Sequence, residues 1–233
     1  MKIAVFSDIH GNLQSLEAIL SDIKNENIDK IICLGDVIGI GPNPKECLDL
    51  IIENNIEMVL GNHELYYIYG VGIDIEIEDS EKQHHKWVSE QLGDKHLKFL
   101  KNKSLDLKYD NILFEHFLID KNREKFYPFY DFSILKNGIA ENNISTSEYT
   151  KIIIGHKHEA FNMLSNFKDL IDIGSSGCTK DLFTSYVIVN IQKDIFIDKK
   201  LIKYDRDTFI KKLKSIEFPE KHILSKIFFG ENL

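Results

Sequence analysis

Five short fragments of this sequence carry side chains that bind divalent metal ions, and each follows a short apolar run. The fragments are Asp8-Ile9-His10, Gly35-Asp36, Gly61-Asn62-His63-Glu64, His116 and Gly155-His156-Lys157-His158. One such fragment alone is a common loop motif, but together they supply carboxylate, amide and imidazole ligands. That combination suits a pair of divalent ions and the hydrolysis that such ions promote. The sequence therefore predicts a two-metal hydrolytic site.

The residue types match the roles that two metal ions require. A carboxylate has two oxygens and can bridge two ions, whereas imidazole binds one ion through one nitrogen. Asp8 and His10 are two residues apart, as are His156 and His158. In an extended chain, alternate side chains point to the same side. We therefore expect each pair to face one site.

The elements around these fragments predict an α/β fold. Strands at 2–7, 31–34 and 57–60 alternate with helices that begin after Asn12 and at Asn43-Pro44. This order predicts a parallel sheet, and ligands bind beyond the carboxyl ends of its strands. The later strands are predicted at 105–109, 112–115, 151–154, 170–173, 185–190 and 195–204. Two sheets packed face to face, with helices outside, satisfy this pattern.

The 233 residues fit one domain spanning 1–233. Residues 65–103 are predicted to form a helical insertion near the site, either a lid or ordinary packing on the sheet. Residues 120–150 are predicted to be loop with some helix, and helices at 207–216 and 221–229 close the chain. Four further histidines are interpreted as surface residues of helices: His84, His85, His96 and His222.

Composition narrows the functional class. Hydrophobic residues make up 43% of the chain, which is enough for a packed core, and the net charge of -8 argues against nonspecific binding to nucleic acid or an anionic membrane. The sequence has no apolar stretch of about 18 residues and no signal-peptide pattern, so we expect no membrane association and a cytoplasmic location. Cys33, Cys47 and Cys178 include no C-x-x-C pair and are interpreted as buried or free thiols.

The five fragments resemble, in order, the motifs of the calcineurin-like metallophosphoesterases: D-x-H, G-D, G-N-H-[DE], a lone His and G-H-x-H. Residues 35–44 resemble the small bacterial and archaeal phosphodiesterase-like branch of that family. The resemblance spans Asp8 to His158. It implies a four-layer α/β/β/α sandwich of two mixed sheets.

The resemblance also implies a role for each residue. Asp8, His10 and His158 would hold the first metal, Asn62, His116 and His156 would hold the second, and Asp36 would bridge them. His63 would act as general acid at the leaving group or stabilise the phosphate, while hydroxide shared by the ions attacks phosphorus. The cofactor would be two divalent or mixed-valence ions, with Mn or Fe favoured and Zn, Ni or Co as alternatives.

Two positions depart from family patterns. Gly39 and Ile40 stand where the protein phosphatase branch has Asp and Arg, and Phe117 stands where many relatives have Gly. The first departure weakens the protein phosphatase reading, and the intact set of motifs favours hydrolysis of phosphodiesters over monoesters. Hydrolysis of nucleotides or dinucleoside polyphosphates comes second, protein phosphatase activity third and a noncatalytic protein-binding scaffold last. The expected partner is a small phosphate ester or nucleotide, and oligomeric state is open.

Some side chains near the motifs allow two readings. Glu64 is interpreted as a helix N-terminal charge in preference to a partner of the metal ligands. The loop Gly174-Ser175-Ser176-Gly177 fits a turn between strands at least as well as a substrate contact. A tyrosine cluster at 66, 67 and 69 favours core packing over a pocket wall. Lys180 and Arg123 are candidate phosphate contacts on the ground of charge alone.

Overall fold

The computed structural model describes residues 1–70, 78–118, 149–165 and 168–233, which contain ten strands and seven helices. The strands are β1 (Lys2–Phe6), β2 (Lys30–Cys33), β3 (Glu57–Met58), β4 (Asp106–Tyr109), β5 (Ile112–Glu115), β6 (Lys151–Ile154), β7 (Phe161–Ser165), β8 (Lys168–Asp172), β9 (Phe183–Ile191) and β10 (Ile195–Lys203). The helices are α1 (Leu13–Ile23), α2 (Pro44–Glu53), α3 (Asn62–Tyr69), α4 (Asp79–Gln91), α5 (Asp94–Lys101), α6 (Arg206–Ser215) and α7 (Lys221–Phe229).

The strands form two mixed sheets of five, in the orders β10-β9-β1-β2-β3 and β4-β5-β6-β8-β7. In the first sheet β1, β2 and β3 run parallel, β9 pairs antiparallel with β1, and β10 pairs antiparallel with β9. In the second sheet β5, β6 and β8 run parallel, and β4 and β7 pair antiparallel at its edges. Each sheet therefore has parallel strands whose carboxyl ends share one edge.

Side-chain alternation along the strands places the core on both faces of the first sheet. Ile3 and Val5 of β1 pack with Phe114 of the second sheet. Ala4 and Phe6 belong to a separate cluster that includes the apolar faces of α1 and α2. Because successive strand residues face opposite sides, β1 is buried on both. This packing confirms the predicted α/β fold of two mixed sheets lying face to face.

Most predicted elements occur close to their predicted bounds. Asn12 caps α1 by accepting a hydrogen bond from the Ser15 amide at 3.1 Å, and Pro44 opens α2. β7 was not predicted, and β3 is shorter than expected. The described part of 65–103 is largely helical, while its role as an inserted lid stays a prediction. The prediction for 120–150 lies almost wholly outside the described residues.

No helix in the described ranges is long and apolar enough to cross a lipid bilayer.

Candidate metal centre

The predicted site residues all lie just beyond strand ends. Asp8 follows β1, Asp36 follows β2, and Asn62 opens α3 shortly after β3. His116 directly follows β5, and His156 and His158 follow β6. Both sheets thus contribute to one cluster, in which all seven predicted ligands lie with His63.

Backbone conformation at these residues differs from the extended chain that we predicted. Asp8, His10, Asp36, His156 and His158 have φ values of 54°, 47°, 51°, 78° and 63°. The argument from strand alternation is therefore wrong, because left-handed turns and not extended backbone aim these side chains. Such conformations cost on the order of 1 kcal/mol or more each and cluster at functional sites.

The first group of side chains consists of Asp8, His10 and His158, and all three converge at one point. Nε2 of His10 lies 3.0 Å from Nε2 of His158, and Oδ1 of Asp8 lies 3.3 Å from that His158 nitrogen. Nδ1 of His10 lies 3.2 Å from the Ile38 carbonyl. Because that contact assigns the proton to Nδ1, Nε2 of His10 is left as the ligand atom.

The second group consists of Asn62, His116 and His156. Oδ1 of Asn62 lies 3.2 Å from Nε2 of His116 and 3.0 Å from Nδ1 of His156. Nδ1 of His116 lies 2.7 Å from the Leu34 carbonyl, so its Nε2 is again the free ligand atom. Nitrogen and oxygen donors here suit a first-row divalent ion.

Asp36 lies between the two groups. Its Oδ2 is 3.6 Å from Nε2 of His10 and 3.2 Å from Nε2 of His116. Its Oδ1 accepts a hydrogen bond from the His63 amide at 3.0 Å. One carboxylate oxygen therefore faces both groups while the other is held by the backbone of α3.

The donor set passes a direct test of fit to metal ions. Oδ1 of Asp8 is fully buried and has no hydrogen-bond partner among the described residues. Burying an unsatisfied carboxylate oxygen is costly unless a cation or donor meets it. The described residues also contain three clusters whose ligand atoms lie within 4.8 Å of one another: His10–His158–Cys178, His10–Asp36–His63 and Asp36–His116–His156.

Burial and charge shift the pKa values of this site in opposite directions. Burial alone would raise the pKa of Asp8 and Asp36, but the surrounding histidines, His116 foremost, hold both well below the usual range. Burial lowers the pKa of His116, but Asp36 and Asp8 outweigh it and raise the value to about 9. In the metal-free site, attraction between carboxylates and imidazolium thus holds these side chains together. Bound divalent ions would replace the positive charge of the imidazolium.

Glu64 is a buried support of the site, contrary to the favoured interpretation as a simple helix-end charge. Its two carboxylate oxygens accept hydrogen bonds from the amides of Asp36, Val37, Ile38 and Gly61 at 2.8–3.3 Å. Burial and the charge of Asp36 raise the pKa of Glu64 to about 7, while these four donors favour the carboxylate. Glu64 therefore fixes the Asp36 loop onto the start of α3.

His63 lies beside the first group of side chains, close to His10. Its ring centroid is 4.9 Å from that of His10, and its Nδ1 is buried with no hydrogen-bond partner in the described ranges. A Cβ atom at Gly39, where φ is +91°, would lie 2.3 Å from this nitrogen. The ring thus occupies the space that a side chain at position 39 would fill.

Helix α4 forms a wall behind His63 that sequence reasoning missed. The His85 ring lies 5.1 Å from the His63 ring and 4.9 Å from that of Tyr66. His84, His85 and His96 are all under 8% exposed, so their interpretation as surface residues is wrong, whereas His222 is exposed as predicted. Burial lowers the pKa of His85 to about 4. Histidine burial leaves no mark in apolar periodicity, so this wall had no sequence signal.

The loop after β8 is a structural clamp on the first group. The Gly177 amide donates to the Asp8 carbonyl at 3.0 Å, and Oγ of Ser175 donates to the same carbonyl at 2.7 Å. Cys178 follows this loop and lies within reach of His158. This proximity was not predicted, since a lone cysteine far along the chain carries no motif.

The other residues singled out in the sequence differ in burial and in distance from the ligand cluster. Phe117 is buried, with its ring 5.4 Å from that of His116. Tyr67 packs on the core and Tyr69 is 67% exposed, so within the tyrosine cluster Tyr66 is the residue next to His63. Lys180 is exposed, and Arg123 lies outside the described residues.

Comparison with known proteins agrees with this geometry. A family model described as calcineurin-like phosphoesterase matches residues 1–165. An uncharacterized protein of Methanocaldococcus jannaschii is 32% identical over 245 residues, covering 94% of each chain. The symmetrical bis(5'-nucleosyl)-tetraphosphatase of Neisseria gonorrhoeae is 39% identical over 64 residues, which cover 26% of this chain and 23% of that protein.

The fold is also shared with solved structures. The metallophosphoesterase of Sphaerobacter thermophilus superposes with a TM-score of 0.73 at 22% identity, covering 97% of this chain and 99% of that one. This likeness concerns the fold, while the family match rests on sequence. The chain belongs to the calcineurin-like phosphoesterase family and is a metal-dependent phosphoester hydrolase.

Proposed function

We propose that this chain is a phosphodiesterase that works with two divalent metal ions. The first ion would be held by Asp8, His10 and His158, and the second ion by Asn62, His116 and His156. Asp36 would bind both ions. The observation that carries this proposal is the place of Asp36, whose Oδ2 lies 3.6 Å from Nε2 of His10 and 3.2 Å from Nε2 of His116. Two such ions, favoured as Mn or Fe with Zn, Ni or Co as alternatives, would activate water and neutralise phosphate charge.

His63 would act on the departing oxygen or on the phosphate. It lies beside His10 at the edge of the ligand cluster, where a bound phosphate would reach it. Burial lowers the pKa of His63 well below its ordinary value. The imidazole is therefore neutral at pH 7 before substrate binds and donates through one N–H. Negative charge of a bound phosphate would raise its pKa and favour proton donation to the leaving group.

The surroundings of position 40 support diesters over monoesters. Ile40 is buried against Tyr204 and Phe209, so it offers no cation where the protein phosphatase branch has Arg. A phosphomonoester dianion carries one more negative charge than a diester and gains more from such a cation. The clash at Gly39 equally excludes an aspartate that would orient His63. Both features disfavour protein phosphatase activity.

Nucleotide hydrolysis is the second candidate. The tetraphosphatase relative acts on a dinucleoside substrate, and its match is confined to a quarter of this chain. Aromatic side chains border the ligand cluster here: the Phe228 ring lies 5.5 Å from that of His158, and Tyr66 lies near His63. Such rings could stack on a base. A small nucleotide is thus a reasonable substrate for the same site, and the cytoplasmic location predicted from sequence is compatible with it.

The test is hydrolysis of a chromogenic phosphodiester beside the matching monoester, after metal removal and reloading with Mn²⁺. We expect diester turnover that disappears in His63→Ala with bound metal unchanged, and His222→Ala serves as the exposed control. A dinucleoside polyphosphate panel follows with the same proteins. If the protein binds two ions but hydrolyses neither ester and no nucleotide of the panel, the proposal is contradicted and a binding role is favoured.

A further inference from the structure

Cys178 is held in a fixed position at the first group of ligands. Its amide donates to Oγ of Ser175 at 2.8 Å, and that hydroxyl donates to the Asp8 carbonyl at 2.7 Å. The neighbouring Gly177 amide also donates to the Asp8 carbonyl. The backbone that carries the thiol is therefore tied directly to the residue that begins the metal cluster.

The thiol itself completes a cluster of metal-binding atoms. Sγ of Cys178 and ring nitrogens of His10 and His158 all lie within 4.8 Å of one another. The buried Oδ1 of Asp8, which has no hydrogen-bond partner among the described residues, lies 3.3 Å from Nε2 of His158 and 3.7 Å from Nε2 of His10. This oxygen is an independent sign that a cation belongs between these side chains.

The other cysteines do not share this environment. Cys33 and Cys47 are fully buried in the apolar cluster between the first sheet and its helices. Cys178 is half-buried and lies among nitrogen and oxygen donors. Soft thiolate ligands favour zinc, iron and cobalt over manganese, which prefers oxygen. The two kinds of cysteine thus make a matched comparison within one chain.

We propose that Cys178 is a thiolate ligand of the first metal position and makes that position selective for Zn²⁺, Fe²⁺ or Co²⁺ over Mn²⁺. This inference rests on the proposed function, because it uses the same ion site. On binding, the S–H bond breaks, the proton passes to solvent and the sulfur electron pair forms the bond to the ion. No oxidant or reductant is needed.

The test loads metal-free protein with Co²⁺ and records near-ultraviolet absorption, with bound cobalt measured in the same samples. We expect a thiolate-to-cobalt charge-transfer band in wild type and in Cys47→Ala that is absent in Cys178→Ser. Cys178→Ser should also bind Zn²⁺ at least about 10-fold more weakly, while Mn²⁺ binding changes less. Cobalt bound without the band, or a band that persists in Cys178→Ser, overturns the inference and leaves the metal site standing.

A second measurement needs no variant. X-ray absorption of the zinc-loaded wild type should show a sulfur neighbour at about 2.3 Å, and a shell of only nitrogen and oxygen at about 2.0–2.2 Å would overturn the inference. Wild type that binds neither cobalt nor zinc would overturn the metal site and the thiolate together. The two failures are therefore distinguishable.

Discussion

The two halves of the proposed metal centre have the same arrangement of side chains but differ in charge. Each half has a histidine whose Nδ1 faces a backbone carbonyl, which is Ile38 for His10 and Leu34 for His116. The oxygen donor of the first half is the carboxylate of Asp8, whereas that of the second is the neutral amide of Asn62.

The neighbouring histidines of the two halves also differ in proton affinity. Burial lowers the pKa of His158, but Cys178 and Asp8 outweigh it and raise the value to about 11. Burial and the charge of His116 lower the pKa of His156 to about 4. A site that attracts a proton also attracts a divalent cation. We therefore expect the first half to bind metal more tightly, with the second half dependent on Asp36.

The largest expected effect comes from removing the charge that both halves share. Asp36→Asn should lower diester turnover by about 10³-fold or more, because it removes the negative charge of the proposed bridging residue. Elemental analysis should show at most one ion bound where wild type binds two. Asp110→Asn, which makes the same change at an exposed turn, is the control. Two ions and normal turnover in Asp36→Asn would show that the halves are independent.

The next effect separates catalysis from metal binding. In Gly39→Ala the new Cβ would lie 2.3 Å from Nδ1 of His63, so the ring must move. A displacement of about 1 Å at a catalytic group can cost about 10²-fold in rate. We expect kcat to fall by that order while both halves keep their ions. Gly70→Ala is the matched control, since Gly70 has a similar φ of +93° and a Cβ there meets nothing within 4 Å. Wild-type kcat in Gly39→Ala would remove His63 from the mechanism.

The third effect concerns His85 of helix α4, which lies behind His63. His85 titrates at about pH 4 in the folded chain and near 6.5 when unfolded, so the unfolded chain binds the extra proton in between. Wild-type stability should fall as pH drops from about 6.5 to 4, by up to about 3 kcal/mol from this residue.

The measurement is chemical denaturation of metal-free His85→Gln at pH 7 and pH 4.5, with His222→Gln as the exposed control. The variant should lose less stability on acidification than wild type does. Equal losses in the two proteins would show that His85 carries no such shift.

The smallest expected effect comes from giving both halves a carboxylate. Asn62→Asp gives the second half a carboxylate at the start of α3, where negative charge is also favourable. Metal affinity of the second half should rise by about tenfold, as measured by equilibrium dialysis of a second ion. Asn25→Asp, at an exposed position, is the control. Unchanged affinity would mean that oxygen charge does not set the difference.

The positions of the polar side chains could be predicted from the sequence where those side chains stand in short fragments at strand ends. The strand at 151–154 occurs as predicted, and His156 and His158, which follow it, lie against Asn62 and Asp8. Parallel strands bring their carboxyl ends to one edge, so fragments far apart in sequence converge without any long-range signal being needed.

Sequence reasoning failed where tertiary contacts override local pattern. α4 is rich in polar residues, yet His84 and His85 are buried against Phe218 and His63. His10 and His158 have left-handed backbone, with φ values of 47° and 63°. Glu64 likewise obtains its four donors from a loop 26 to 28 residues earlier in sequence and from its own helix start. None of these features is encoded in apolar periodicity.

The most direct test is anomalous diffraction from crystals of this protein soaked in Mn²⁺, with data collected at the manganese edge. Two peaks roughly 3.5–4 Å apart, one on each side of the Asp36 carboxylate, are the expected result. The peak beside Asp8, His10 and His158 should give way to zinc first when Zn²⁺ is added. A single peak, or two peaks that do not share Asp36, would contradict the two-metal centre.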